Sequence, residues 1–140
     1  MSFLFYRLIK NPEAYQKAQK EVDDVVGRGA ITVEHIPQLH YLSACLRETL
    51  RLTPTAPAFT LQPLPDMKEN SVTIGDGKYE IKKGQPIIAL LPKIHRDPAV
   101  YGDDASEFKP ERMLDEPFAK LPPNSWKVKH FPMTVQIYQS

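Results

Sequence analysis

Fourteen prolines in a chain of 140 residues set the first limit on its fold. A prolyl nitrogen carries no hydrogen and its ring fixes φ, so proline is kept out of helix interiors and central strands. The distribution is uneven. Only Pro12 and Pro37 fall in the first 53 residues, and the other twelve fall in the last 87. The chain therefore divides near Leu52-Thr53-Pro54 into a helical half and a half of turns, short strands and irregular coil. The second half carries no repeat, which suits a fixed coil packed on a larger body.

In the first half, Asn11-Pro12-Glu13 predicts a helix start. Asn caps, Pro suits the first helical position, and Glu favours the positive end of the dipole. Tyr15, Ala18, Val22 and Val25 then recur at helical spacing, and Gly27-Arg28-Gly29 ends the helix. Glu13 and Lys17 form an i,i+4 pair on the wet face. Residues 2–10 also read as helical, starting without a cap as though inside a longer helix. Thr32 caps a short helical turn ending before Pro37, and a second main helix runs from about Pro37 to Leu52. Along it Leu39, Leu42, Leu46 and Leu50 make one apolar stripe, with Cys45 at its edge as a small buried hydrophobe. Glu48 and Arg51 lie one turn apart on the side away from the leucines. Spacing alone makes them a solvated salt bridge worth about 0.3–0.5 kcal/mol.

In the second half, Val72-Thr73-Ile74, Gly75-Asp76-Gly77 and Lys78-Tyr79-Glu80-Ile81 predict a hairpin, and Lys83-Gly84 a further turn. Residues 85–91 read as a buried strand bounded by Pro92. His95-Arg96-Asp97-Pro98 is a turn or short helix, residues 103–107 a short acidic helix, and residues 108–113 coil. From Leu114 to Trp126 the chain is Pro-rich and aperiodic.

Composition removes several functions. Eighteen basic and seventeen acidic residues leave a net charge of +1, which argues against a nucleic-acid arm. A single cysteine excludes an intrachain disulfide and any CxxC motif. Phe3-Leu4-Phe5-Tyr6 is too short to span a membrane and lacks the basic start of a signal peptide. The expected compartment is the cytoplasm, any anchor lying outside this chain. His35, His40, His95 and His130 lack the i,i+4 spacing of a helical metal site, and there is no GxSxG, phosphate loop or HExxH. Lys127-Val128-Lys129-His130 reads as a solvated tail.

Glu48-Thr49-Leu50-Arg51, flanked by Leu46 and Leu52, resembles the ExxR element of the cytochrome P-450 haem-thiolate monooxygenases. About sixty residues later, Phe108-Lys109-Pro110-Glu111-Arg112-Met113 resembles the family's FxPERF/M element. His95-Arg96-Asp97-Pro98 and Tyr101-Gly102-Asp103-Asp104-Ala105 match the stretch between them. Pro54-Thr55-Ala56-Pro57-Ala58-Phe59 is similar to the soluble fatty-acid hydroxylases of bacteria and fungi that are fused to a reductase. The resemblance covers about residues 2–127. It implies a mixed α+β fold, mainly α, with an ExxR helix, a small hairpin sheet and the PERF/M coil. It also implies that Glu48 and Arg51 meet Arg112 in a buried structural network, reversing the solvated reading. Ala56, Pro57 and Phe59 would line the haem and substrate pocket; read without the resemblance, they are a turn and the start of a strand. The implied reaction inserts one atom of O2 into a C–H bond of a fatty acid. Haem iron would carry it out, with electrons from NADPH through the FAD and FMN of the reductase.

The resemblance also marks what is missing. The family's axial cysteine thiolate belongs in a FGxGxRxC-like loop shortly after residue 127. Val128-Lys129-His130-Phe131-Pro132-Met133 stand there instead, and Cys45 lies away from that position. The family's oxygen-activating acid/alcohol pair belongs just before Met1. The expected organisation is a partial cytochrome P-450 domain over residues 1–127 and an unrelated tail over residues 128–140, read as translated intron. The chain itself is expected to be inactive and to bind no metal, haem, flavin or nicotinamide. One rival reading is a non-enzymatic helix-and-hairpin module that binds a partner protein. Another is a hydrolase using Glu48 with Asp97 or Glu111, which no spacing favours.

Overall fold

A computed structural model describes residues 2–63, 68–122 and 125. Three helices form the first half: α1 (Ser2–Lys10), α2 (Pro12–Val25) and α3 (His40–Leu52). Leu4 and Leu8 of α1, Ala14 and Ala18 of α2, and Cys45 of α3 close one core, with Tyr41, Leu42 and Phe108 packed against it. The alanines and the cysteine are small, so the helices approach closely. Each fully buried leucine contributes about 1.5–3 kcal/mol.

Several local expectations change here. Asn11 makes no side-chain cap; its Nδ2 donates to Arg7 O at 2.7 Å and closes α1 instead. Lys17 leaves Glu13 and reaches Glu111 at 2.6 Å. The buried face of α2 is Ala14 and Ala18, while Tyr15 is exposed. Pro37 sits inside a 3-10 turn over Val33–Gln38, so α3 starts at His40. The first peptide N–H groups of a helix have no partner within it. Glu21 of α2 supplies partners from outside, accepting from Tyr41 N at 2.7 Å and Leu42 N at 2.8 Å. That contact pins the start of α3.

The second half contains two antiparallel two-stranded sheets. Strand β1 (Ala58–Leu61) pairs with β4 (Ile87–Leu90), and β2 (Ser71–Ile74) pairs with β3 (Tyr79–Lys82). The β2–β3 hairpin turns through Gly75, Asp76 and Gly77, all at positive φ, which glycine and aspartate tolerate best. Residues 85–91 are not a buried strand. The strand proper is Ile87–Leu90, paired with β1, and its Ile88 and Leu90 side chains are exposed.

Beyond the sheets lie α4 (Leu91–Ile94) and α5 (Pro98–Tyr101), then a 3-10 turn over Pro110–Met113 where coil is predicted, then α6 (Asp115–Lys120). The helix α6 stands in the stretch read as aperiodic. Its Pro117 falls in the first turn, where a missing N–H costs nothing. Residues 103–107 are turns rather than an acidic helix, closed by Ala105 N to Gly102 O and Glu107 N to Asp104 O. Their carbonyls are engaged elsewhere, as described below. A second core joins Ala44 of α3 to Tyr101, Ala105, Met113 and Phe118. The helix α3 thus runs between two cores, in a fold that is mixed α+β and mainly helical. Residue 126 and the tail over 128–140 lie outside the described residues.

Candidate functional site

The face of α3 turned into the protein is Ala44, Cys45, Glu48, Thr49, Arg51 and Leu52. Leu46 of the expected stripe is 40 % exposed, whereas Glu48 and Arg51 are 0 % exposed. The solvated reading from spacing alone therefore fails, and hydrogen-bonding capacity explains why. Arg51 Nε and Nη2 donate to the two Glu48 oxygens, both at 2.8 Å. Its Nη1 donates to His95 O and Ala105 O at 2.6 Å, and Nη2 also to Glu107 O at 3.1 Å. A guanidinium has five donors in a fixed fork, and here every nitrogen has an acceptor.

Arg112 enters from the opposite side. Its Nε donates to Glu48 Oε1 at 3.2 Å, Nη1 to Tyr101 O at 2.9 Å and Nη2 to Asp104 O at 3.0 Å. Lys109 N adds a backbone donor to Glu48 Oε1 at 3.0 Å. One carboxylate thus holds two guanidinium groups and a peptide N–H. Glu48, Arg51 and Arg112 are brought together, and they sew α3 to residues 95–112. Such charge-assisted bonds are shorter and stronger than neutral ones, and in a dry site each missing partner is costly.

The surroundings reinforce the lock. His95 is fully buried, and its Nδ1 donates to Arg51 O at 2.8 Å. Burial holds its imidazole below the usual histidine pKa, with the nearby Arg51 and Arg96 cations adding to the effect. Arg96 donates to Leu52 O, where α3 ends, and to Pro92 O in α4, both at 2.7 Å. Arg47 grips Met113 O and Asp115 Oδ1, and Tyr41 donates to Glu111 Oε1. Apart from Arg96 to Pro92 O, four residues apart, none of these pairings has a local sequence signal, because each joins residues more than forty positions apart.

The other residues singled out from sequence sit differently. Ala56 and Pro57 are exposed, and Phe59 is half-buried on β1, opposite Ala89. Leu91 N donates to Pro57 O at 3.0 Å, which ties this segment to the start of α4. Asp97 caps α5, accepting from Ala99 N, and Glu111 pairs with Lys17, so neither joins Glu48 as a second acid. Among the described residues no group of three or more His, Cys, Asp or Glu is placed to hold a metal ion. Cys45 packs among alanines and leucines; burial, then the Glu111, Glu21 and Glu48 charges, push its thiol up to about 12. No described helix is long and apolar enough to cross a membrane.

Comparison with known proteins agrees with this geometry. The cytochrome P-450 family pattern matches residues 1–128. A bifunctional cytochrome P-450/NADPH–P-450 reductase of Acremonium egyptiacum is 60% identical over 127 residues. A protein of the same description from Aspergillus oryzae is 60% identical over 128 residues. A self-sufficient cytochrome P-450 monooxygenase of Exserohilum turcicum is 56% identical over 127 residues. Each match covers 91% of this chain but only 11% or 12% of the relative. Motifs, buried ion network and matched length converge: the chain belongs to the cytochrome P-450 family.

Proposed function

We propose that this chain is the scaffold portion of a haem-thiolate monooxygenase that hydroxylates fatty acids, in a larger protein carrying its own flavin reductase. The burial of Glu48, Arg51 and Arg112 in one network carries the reading. A surface protein-binding module gains nothing from enclosing three charges. A scaffold that must hold a coil rigidly against a helix does, because breaking the network strands a buried charge. The relatives named as reductase fusions support the reductase, FAD, FMN and NADPH as parts of the whole protein.

The residues present do not make the haem site themselves. The one cysteine of the sequence is Cys45, enclosed in a helical core and held as a neutral thiol, whereas an axial ligand must be a thiolate directed at the iron. What this chain offers is positional. The network fixes the coil over 95–112, and Ala56 and Pro57, which lead into β1, and Phe59, which lies on β1, have small and aromatic apolar surfaces that suit an alkyl chain. No step of the reaction is assigned to Glu48, which stays an ion-pair acceptor. The exposed Phe3, Phe5 and Ile9 of α1 fit the same reading, since they leave apolar surface that a larger body would cover. Residues 128–140 are read as a tail foreign to the domain, encoded by retained intron, in the cytoplasmic form of the protein.

The test is spectroscopic. The longer polypeptide containing this sequence, reduced under carbon monoxide, is expected to show the thiolate-type Soret band. The 140-residue chain with added haem is expected to lack it. A longer polypeptide without that band overturns the monooxygenase reading; a thiolate band from the short chain makes Cys45 the ligand and overturns the scaffold reading. Sequencing the transcript checks the tail: spliced message running from Lys127 into a Gly- and Cys-containing loop supports intron retention, and a dominant message ending at Ser140 refutes it.

A further inference from the structure

The buried network as described so far does not balance its charge. Arg51 and Arg112 bring two positive charges and Glu48 one negative, in a region where Arg51 and Glu48 are 0 % exposed and the Arg112 side chain is 13 % exposed. An unmatched charge that deep is expensive. Asp104 stands where the missing charge belongs: its Oδ1 lies 2.9 Å from Arg112 Nη2, the nitrogen that also reaches the Asp104 carbonyl.

We propose that Asp104 is the fourth member of the network, a positioning residue that neutralises Arg112 and aims its Nε at Glu48. The geometry carries this. Arg112 approaches Glu48 through one bond at 3.2 Å, the longest of the four that Glu48 accepts, so that contact depends on how the guanidinium plane is held. Asp104 holds one end of that plane by main chain and side chain together, and Tyr101 O holds another nitrogen. The turn that presents Asp104 begins at Gly102, whose φ of +80° only glycine adopts readily, and Ala105 N closes it onto Gly102 O.

A simpler role is available: Asp104 Oδ2 also meets Lys109 Nζ at 2.7 Å, and an aspartate paired with a surface lysine does little. The side chain of Lys109 is 54% exposed, four times as open as that of Arg112, so the two partners are separable by experiment. Both cations keep the Asp104 carboxyl depressed to about 2. The inference does not rest on the haem reading, because the network belongs to this chain whatever the whole protein does.

Arginine Nε–H exchange, followed by NMR on the 140-residue chain, tests it. Asp104→Asn is expected to speed exchange of the Arg112 Nε–H by about fivefold or more while the Arg51 Nε–H stays slow. Asp104→Glu is expected to restore much of the protection, and Lys109→Met to change neither signal. The proposal is overturned if Asp104→Asn leaves Arg112 protected or releases Arg51 and Arg112 together. It is equally overturned if Lys109→Met reproduces the Asp104→Asn effect, or if Arg112 is unprotected in the unsubstituted chain.

Discussion

Glu48→Gln is the sharpest probe of the ion network. The substitution keeps the side chain's shape and volume, so packing is not at issue. It replaces an oxygen with an NH2 group among donors, in a site where Glu48 accepts from Arg51 Nε, Arg51 Nη2, Lys109 N and Arg112 Nε. Two guanidinium groups lose the carboxylate between them, with no water to replace it at 0 % exposure. Removing one partner of a buried ion pair costs about 3–5 kcal/mol, a large part of the ~5–15 kcal/mol that holds a typical domain folded. Native-state hydrogen exchange reads this locally, since Lys109 N donates directly to Glu48 and reports opening of the coil. At a tenfold change per 1.4 kcal/mol, exchange across residues 95–113 should rise by about a hundredfold to a few thousandfold. Lys20→Ala, which breaks the exposed Lys20–Asp24 pair, should leave the same segment unchanged. A rise of less than about tenfold in Glu48→Gln would refute the claim that the network locks the coil to α3.

Five further outcomes follow from the geometry. Cys45, with its thiol pushed up to about 12, should resist alkylation at pH 8 until the chain is denatured. Because the unfolded thiol ionises near pH ~8.5 and the folded one does not, stability should fall as pH rises from there towards 12, a slope that Cys45→Ala removes in denaturant titrations. His95 has its pKa lowered, so only the unfolded chain takes up a proton just below pH ~6.5; stability should drop as pH falls through that window, and less so in His95→Asn. Ala44→Leu overfills the core around Tyr101, Met113 and Phe118 and should cost about 1–3 kcal/mol by urea midpoint, whereas Leu46→Ser at the exposed stripe should cost far less. Gly102→Ala should lower the melting temperature through backbone strain of about 1–3 kcal/mol at φ +80°, ψ −178°, since its new methyl would meet only Asp104 Oδ1 at an ordinary 3.6 Å.

Local sequence determined the elements and the punctuation of this chain. Pro12 and the Gly27 turn bound α2, Gly75-Asp76-Gly77 turns the β2–β3 hairpin, and the proline boundary at residue 54 separates α1, α2 and α3 from a half of strands, turns and short helices. These features act within a few residues through φ restriction and missing donors, so they are legible without any fold. Family motifs likewise marked Glu48, Arg51 and Arg112 as a set. What only the tertiary structure decided is which face of α3 turns inward. Periodicity pointed the leucines in and the charges out, but the carbonyls of His95, Ala105 and Glu107 and the Arg112 side chain meet Arg51 and Glu48 from 44 to 64 residues away. With every donor matched, burying the charges became tolerable, and Leu46 was left at the surface. The same long-range demand kept residues 103–107 from coiling into a helix, since the carbonyls of Asp104, Ala105 and Glu107 are spent on arginine. Asp104, Glu21 and His95 had no local signal, because their partners are brought near only when the chain folds.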